Sequence, residues 1–212
     1  MSTWEVTDTE RSREILGLGY GGAVRFGELL AAHGEERGLI GPRELARLWP
    51  RHVLNSAAAA PFLPTNGTVA DVGSGAGLPG IVLALMRPDL EFALIEPMER
   101  RITWLTEVVS ELDLDNVELH QVRAEEMHGR RRFHAVTARA VAAMKKLVPI
   151  TLPLVAPGGS LLAQKGRRAG DEIADARQVL RSHGAVDTQV HEVDLLGDGD
   201  VTRVVQVRTS NG

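Results

Sequence analysis

Hydrophobic positions in the first part of the chain recur with the period of an α-helix. Phe26, Leu29 and Leu30 follow the i, i+3, i+4 spacing that gathers side chains onto one helix face. This spacing predicts helices over residues 9–34 and 41–60, with glycines breaking the pattern between them. We therefore expect a helical N-terminal extension before the first strand begins.

Beyond a linker rich in proline and glycine, short apolar runs alternate with amphipathic segments. The runs predict strands at residues 69–72, 92–96, 117–122, 134–137, 160–164, 185–193 and 201–208. Helices are predicted between them, at residues 81–86, 102–112, 142–156 and 171–183. Pro149 and Pro153 are expected to kink or interrupt the third of these. This alternation favours an α/β fold with a parallel sheet, and the last two strands favour an antiparallel hairpin. We expect an N-terminal helical extension at residues 1–66, packed on an α/β domain at residues 67–212.

The turn after the first strand is the most informative segment of the sequence. It reads Asp71-Val72-Gly73-Ser74-Gly75-Ala76-Gly77-Leu78-Pro79-Gly80. Glycine adopts positive φ without strain and lets the backbone approach a ligand closely. The helix that follows offers free N–H groups at its N-terminus. The succession of strand, glycine turn and helix start therefore predicts a site for an adenosine cofactor.

Two cofactors fit this turn. The spacing from Gly75 to Gly80 matches the GxGxxG pattern of dinucleotide sites, whereas the spacing from Asp71 to Gly77 matches the glycine motif of class I S-adenosylmethionine-dependent methyltransferases. A dinucleotide fold needs a second mononucleotide-binding half, while a seven-stranded sheet that ends in a hairpin resembles the methyltransferase sheet. A carboxylate at Asp71 also suits the ammonium of the S-adenosylmethionine tail. We therefore predict a Rossmann-like methyltransferase, with dinucleotide binding as the alternative.

Acids at the ends of two strands are candidates for binding the adenosine. Glu96 ends the second strand, where its carboxylate can accept hydrogen bonds from both ribose hydroxyls. Glu125 follows the third strand and is placed to reach the adenine, with Ala124 supplying backbone contacts. Each acid also has a simpler interpretation. Glu96 would be a solvated residue at the end of a strand, and Glu125 would begin a surface loop together with Glu126.

Composition narrows the possible chemistry. The chain contains no cysteine, which excludes disulfides, thiolate metal sites and cysteine nucleophiles. Its histidines show no close metal-binding spacing, so we expect no metal. No segment approaches the roughly 18 uninterrupted apolar residues of a membrane span, and the polar N-terminus lacks the apolar core of a signal peptide. We therefore expect a cytoplasmic protein without a membrane association.

Charge is distributed unevenly along the chain, whose net charge is −4. Ten Lys or Arg residues and only two acids lie between Arg123 and Arg168. A basic segment of this kind can neutralise nucleic-acid phosphates, although ordinary solvated side chains would give the same count.

Several segments closely resemble those of one protein family. They are Arg51-His52-x-Leu54-Asn55-Ser56, Asp71 to Ile81, Arg123-Ala124-Glu125-Glu126, Thr137-Ala138-Arg139-Ala140 and Gln164-Lys165-Gly166. From about residue 20 to residue 208 the chain resembles the small-subunit (16S) ribosomal RNA guanine-N7 methyltransferases, the RsmG or glucose-inhibited division protein B family. The Gly-Leu-Pro-Gly extension of the turn and the Ala-Arg-Ala segment are the most specific of these matches.

The resemblance implies a cofactor, a substrate and site residues. It implies that S-adenosylmethionine is contacted at Gly73, Leu78, Ala124, Glu125 and Arg139. It also implies that the substrate is one guanine in the decoding-region loop of 16S rRNA, in the small ribosomal subunit or its precursor. The chemistry agrees, because guanine N7 has a free lone pair and no proton to lose. Methyl transfer to N7 therefore needs positioning and no general base.

Arg139 and Lys165 are the candidate substrate-orienting groups. Both lie at the carboxyl ends of predicted strands or just beyond them, where a cation can bind guanine O6 or a phosphate while N7 stays free. A salt bridge at a strand end is the simpler interpretation of each. Basic residues around the site are expected to neutralise RNA phosphates. The candidate RNA-binding residues are Arg51, His52, Arg130, Arg131, Arg132, Lys145, Lys146, Lys165, Arg167 and Arg168.

Two other functions stay open at this point. A small-molecule methyltransferase on the same fold would have a closed, apolar substrate pocket. A non-catalytic RNA-binding or assembly protein would have a degenerate cofactor site, against which the intact glycines argue. Nothing in the sequence requires a dimer, so we expect a monomer.

Overall fold

The computed structural model describes residues 4–7, 9–41 and 43–211. Within them, seven strands form one sheet in the order β3-β2-β1-β4-β5-β7-β6. The strands are β1 (Thr68–Val72), β2 (Glu91–Ile95), β3 (Val117–His120), β4 (Phe133–Arg139), β5 (Val155–Lys165), β6 (Ala185–Val193) and β7 (Thr202–Thr209). The first five run parallel, and β7 pairs antiparallel with both β5 and β6. The predicted sheet with its closing hairpin is therefore confirmed.

The α-helices of the described residues cover both faces of the sheet. They are α1 (Thr9–Leu16), α2 (Tyr20–His33), α3 (Gly80–Met86), α4 (Glu99–Glu111), α5 (Met144–Thr151) and α6 (Ala169–Ser182). Phe26 and Leu30 of α2 are fully buried and pack in one cluster with Trp49, Ile81 and Trp104. The N-terminal segment thus lies against α3 and α4, and its later part reaches the carboxyl ends of the strands. None of the helices in the described residues is long and apolar enough to span a membrane.

The prediction of two long N-terminal helices is only partly right. The first is interrupted after Leu16 by a short 3-10 turn, in which Gly17 adopts a φ of +52°. In place of a second regular helix, the chain forms a 3-10 turn, a π-helix at Leu48–Leu54 and a 3-10 helix at Ala57–Phe62. Pro50 lacks the N–H that a regular α-helix needs in its interior, which favours these irregular turns.

The prediction of a helix over residues 142–156 is too long. Helix α5 ends at Thr151, one 3-10 turn follows, and β5 already begins at Val155. Val155 pairs with Phe133 of β4, whereas the next paired residue of β5 lies beyond an irregular stretch of Pro, Gly and Gly. Tertiary pairing with β4 therefore overrides the local helical pattern.

Candidate active site

The loop between β1 and α3 is tied firmly to its neighbours. The Gly73 N–H donates to the carbonyl oxygen of Ile95 at 2.8 Å, and Gly77 N–H donates to Ser74 O at 2.7 Å. Gly73, Gly75 and Gly77 all have positive φ, at 69°, 57° and 100°. A Cβ at Gly77 would lie 2.7 Å from Ile81 Cγ1, so this glycine is required by packing as well as by its φ.

Gly75 has a different environment from the other loop glycines. The nearest atoms to a Cβ built there are Gly73 O at 3.7 Å and Arg101 Nη1 at 3.9 Å, which are ordinary van der Waals contacts, so this part of the loop is less crowded. At Gly73, a Cβ would instead lie 2.9 Å from Val141 Cγ2, in the segment that follows β4. The loop is therefore least crowded at Gly75, and it lies directly beside the carboxyl end of β4.

Asp71 lies beneath the loop rather than on its surface. Its Oδ1 accepts a hydrogen bond from Thr137 Oγ1 at 2.9 Å, and its Oδ2 accepts one from Gly80 N–H at 3.2 Å. The residue is 1% exposed, and burial raises its pKa to about 6. The expected contact between this carboxylate and the ammonium of the cofactor does not fit this geometry, because both oxygens are engaged inside the protein. Asp71 instead fixes the start of α3 against β4.

Glu96, which is 1% exposed, holds the same loop from inside the protein. Its Oε2 accepts from Gly75 N–H at 3.0 Å and from Arg101 Nη1 at 3.3 Å, while its Oε1 accepts from Met98 N–H at 3.0 Å. The carboxylate thus lies directly against Gly75, in the least crowded part of the loop. Ala124 is buried and Glu125 is exposed at the start of a short 3-10 helix after β3.

A cavity of about 670 Å³ opens at the carboxyl ends of β4 and β5. The N-terminal segment forms one wall, and the segments after β4 and β5 together with residues 200–203 at the start of β7 form the other. Six of the residues that line it are Lys or Arg, and three are Asp or Glu. The cations are Arg47, Arg51, Arg139, Lys165, Arg167 and Arg203, and the acids are Glu44, Glu172 and Asp200. Among the described residues, no group of three or more His, Asp or Glu is arranged to hold a metal ion.

Arg139 joins the two walls of this cavity. Its Nη1 donates to His52 O at 3.0 Å and to Ser56 Oγ at 3.3 Å. Its Nη2 donates to Arg51 O at 3.2 Å and contacts His52 Nδ1 at 2.7 Å. Burial lowers the pKa of Arg139, and the nearby charge of Asp71 opposes that shift. The predicted alternative, a strand-end salt bridge, is not what holds this guanidinium, since its described partners are carbonyls, a hydroxyl and an imidazole.

Lys165 holds together the segments that follow β4 and β5. Its Nζ pairs with Glu172 Oε2 at 2.9 Å and donates to the carbonyl oxygen of Ala142. Burial alone would raise the pKa of Glu172, but the hydrogen bonds from Lys165 and from Met144 N–H outweigh it and lower that pKa. For Lys165, the strand-end salt bridge anticipated from the sequence is present, inside the cavity.

Gln164 is a cavity residue that the sequence reasoning did not single out. Its Nε2 donates to Asn55 O at 2.8 Å and to Ser56 O at 3.2 Å, and its Oε1 has no hydrogen-bond partner among the described residues. The sequence did contain a signal for this residue, because Gln164 belongs to Gln164-Lys165-Gly166, one of the segments that carry the family resemblance. Its partners Asn55 and Ser56 belong to another of those segments. Gln164 and Arg139 together fasten the N-terminal wall to the sheet.

The other basic candidates fall into two groups, one near the carboxyl ends of the parallel strands and one near their amino ends. Exposed Lys145 and Lys146 begin α5, and exposed Arg167 and Arg168 follow β5, all beside the cavity edge. The three arginines of residues 130–132 instead precede β4, so their backbone lies about 20 Å from its carboxyl end. The Arg131 side chain turns toward β3, where its Nη1 pairs with Glu118 Oε2 at 2.6 Å and lies 3.5 Å from His120 Nε2. None of the three lines the cavity, so the expectation that they lie beside it is wrong. Charge along the sequence does not distinguish the two ends of a strand.

Comparison with known proteins agrees with this architecture. The family model described as GidB, rRNA small subunit methyltransferase G, matches residues 21–196. A ribosomal RNA small subunit methyltransferase G from Beutenbergia cavernae is 64% identical over 96% of both chains. One from Thermobifida fusca is 47% identical over 97% of this chain and 86% of that one.

Solved structures share the fold at low sequence identity. A methyltransferase from Pyrococcus furiosus matches with a TM-score of 0.59 at 12% identity, over 76% of this chain and 86% of that chain. A putative rRNA methylase from Clostridium thermocellum matches with a TM-score of 0.52 at 19% identity, over 74% and 94%. These two structures support the fold, and the family match supports the assignment. The chain belongs to the GidB family of rRNA small subunit methyltransferases G.

Proposed function

We propose that this chain transfers a methyl group from S-adenosylmethionine to N7 of one guanine in 16S rRNA. Membership of the family supports the cofactor and the small-subunit rRNA. One structural observation carries the rest of the proposal. The glycine loop meets the basic cavity at the carboxyl end of β4, where Gly73 lies against Val141 and Arg139 lines the cavity. A methyl donor on the loop and a base in the cavity would thus be neighbours.

The cofactor-binding residues of this proposal surround the least crowded part of the loop. The backbone from Gly73 to Gly77 would receive the amino-acid and ribose parts, with Leu78 packing beside them and Asp71 supporting the loop from beneath. Glu96 would accept the ribose hydroxyls in place of half-buried Arg101 Nη1, since both of its carboxylate oxygens already accept hydrogen bonds within the protein. Ala124 and Glu125 would contact the adenine. Arg139 would contact the part of the cofactor that faces the cavity.

The chemistry asks the protein chiefly for positioning. When bound, S-adenosylmethionine supplies a methyl group whose bond to sulfur breaks as the N7 lone pair attacks, and no proton is transferred. The acids of the cavity are all paired with bases: Glu44 with His52, Glu172 with Lys165, and Asp200 with Arg51. Arg139 and Lys165 would hold guanine O6 or a phosphate and so orient N7 toward the loop.

The nature of the cavity favours RNA over a small substrate. It is lined by six cationic side chains, and exposed Lys145, Lys146, Arg167 and Arg168 extend the same edge. A small-molecule methyltransferase would need a closed, apolar pocket. Phosphates of a folded RNA, in contrast, would be neutralised across such a surface.

The organisation of the chain is part of the proposal. We propose that residues 1–66 and 67–212 act as one unit, because the cavity is lined from both sides of that boundary. The loop and the cavity are contained in one chain, which supports a monomer. A small-subunit rRNA substrate supports a cytoplasmic site of action.

The test is methyl transfer to RNA followed by mapping of the product. Purified protein and labelled S-adenosylmethionine are incubated with small subunits, and separately with free 16S rRNA, from cells that lack the modification. We expect one 7-methylguanine per RNA, identified by nuclease digestion and mass spectrometry. No transfer to either substrate, or a methyl group on another atom, would contradict the proposal.

Two double charge reversals test which end of the parallel strands binds RNA. Lys145→Glu/Lys146→Glu should weaken RNA binding by about tenfold or more, since it replaces two phosphate-binding cations with anions. Arg130→Glu/Arg132→Glu makes the same charge change at the opposite end and should leave binding within about twofold. Equal effects of the two double variants would refute the assignment of the RNA surface to the cavity edge.

A further inference from the structure

His52 makes one hydrogen bond from each ring nitrogen, and the two bonds fix its tautomer. Arg139 Nη2 lies 2.7 Å from His52 Nδ1, and Glu44 Oε2 lies 2.8 Å from His52 Nε2. A guanidinium only donates hydrogen bonds, so Nδ1 must accept with its lone pair. The ring proton is then on Nε2, from which it is donated to the carboxylate of Glu44. The imidazole is therefore neutral and connects an acid to Arg139.

The contact from His52 is the shortest of the four that hold the Arg139 guanidinium. The other three, to two backbone carbonyls and the Ser56 hydroxyl, range from 3.0 to 3.3 Å. The carbonyls belong to the N-terminal wall and do not change with pH. Among these four acceptors the imidazole alone titrates near neutral pH, so it can remove itself as a partner.

We propose that His52 is a positioning residue that sets the orientation of Arg139 in the cavity, with Glu44 fixing the tautomer that His52 needs. This goes beyond the phosphate-contacting role expected for His52, because the imidazole is occupied on both sides by protein groups. His52 acts on the substrate through Arg139. The kinetic part of this proposal rests on the proposed rRNA methylation, whereas the tautomer does not.

Protonation of His52 should remove the shortest of the four contacts that orient Arg139. A proton on Nδ1 would face a guanidinium N–H, so two donors would oppose each other. The charged groups around the ring are Glu44, Arg51 and Arg139. Burial lowers the pKa of His52, Glu44 raises it, and the two arginines lower it, with a net decrease from 6.5. The positioned state is therefore complete at neutral pH and is lost on acidification.

Asparagine and glutamine at position 52 form a matched pair of variants. The amide oxygen of His52→Asn can take the place of Nδ1 and accept from Arg139, whereas the longer side chain of His52→Gln reaches the position of Nε2 and Glu44. We expect His52→Asn to retain kcat within about threefold at neutral pH. We expect His52→Gln to lower kcat by about tenfold, the effect of losing one charge-assisted hydrogen bond, with a similar melting temperature.

The pH profile adds a readout that a merely structural role would not affect. Wild-type kcat should decline as pH falls, and His52→Asn should retain only the part of this decline that Asp71 contributes, because burial raises the pKa of Asp71 to about 6. Glu44→Gln should move the decline to lower pH, because Glu44 raises the pKa of His52. Equal activities of the Asn and Gln variants, or an acid limb unchanged in all variants, would overturn the proposal.

The tautomer can be tested without activity. In protein labelled with ¹⁵N-histidine, NMR at neutral pH should show His52 Nε2 protonated and Nδ1 unprotonated. The Nδ1–H tautomer, or a doubly protonated ring, would overturn the proposal even if both variants failed to fold. An inactive wild-type protein with the expected tautomer would count against the proposed function and leave the role of His52 in positioning Arg139 supported.

Discussion

Asp71 gives the most direct test of how the cofactor loop is held in place. Its side chain is buried, and burial raises its pKa from 3.8 to about 6, although hydrogen bonds from Thr137 and Gly80 act in the opposite direction. The fold therefore favours the neutral carboxyl. We predict that Asp71→Asn, which is neutral at every pH, removes a pH-dependent part of the free energy of unfolding.

The sign and size of the effect follow from proton binding. Between pH 3.8 and about 6, the folded chain keeps a proton on Asp71 that the unfolded chain releases. The resulting stabilisation is full below 3.8 and is lost as pH rises through about 6. Each pH unit in this window is worth about 1.4 kcal/mol. The free energy of unfolding of the wild type, relative to the variant, should therefore increase by about 1 kcal/mol between pH 7 and pH 5.

Urea unfolding of both proteins at several pH values measures this difference. The asparagine side chain can keep both contacts, since its oxygen can accept from Gly80 N–H and its amide can donate to Thr137 Oγ1. Asp89→Asn is the control, because Arg87 lowers the pKa of that exposed acid and its contribution changes with pH in the opposite direction. If the difference between wild type and Asp71→Asn stays constant with pH, the buried neutral carboxyl is refuted.

Three further predictions concern the loop, the packing and the RNA surface. Gly77→Ala should abolish detectable cofactor binding in calorimetry, or unfold the protein, because the new Cβ would lie 2.7 Å from Ile81 Cγ1 at a φ of +100°. Cofactor binding near the wild-type affinity would contradict the loop geometry. Trp104→Phe should cost about 1–3 kcal/mol in urea unfolding, since its buried Nε1 donates to Ala76 O at 3.0 Å; no loss would show that this bond is dispensable. Arg168→Gln should reduce the slope of log binding constant against log salt by roughly 1 if it contacts a phosphate, and an unchanged slope would place it outside the RNA interface.

The sequence predicts the fold well where local pattern and tertiary structure agree. Buried parallel strands between amphipathic helices produce both the apolar runs and the alternation, so the order of elements follows from the pattern. The glycine loop was also predictable, since positive φ at Gly73, Gly75 and Gly77 leaves a direct mark in residue type.

The N-terminal wall was not predictable in this way. Its irregular helices owe their conformation partly to Arg139 and Gln164, which bond to backbone groups 87 to 109 positions earlier. No local pattern contains such partners. The role predicted for Asp71 failed for a related reason, because residue type and spacing show that an acid precedes the loop but not the direction in which its carboxylate points.

Strand β7 has a consequence for how the protein is made. It is the last strand of the chain, yet it lies inside the sheet, paired with β5 on one side and β6 on the other. During synthesis β6 therefore has no partner in the sheet until residues 202–209 have been translated, and β5 keeps an open edge. A premature stop codon just before β7 would yield no shortened enzyme. It would yield a chain with two unsatisfied strand edges, which is a substrate for proteases and for aggregation.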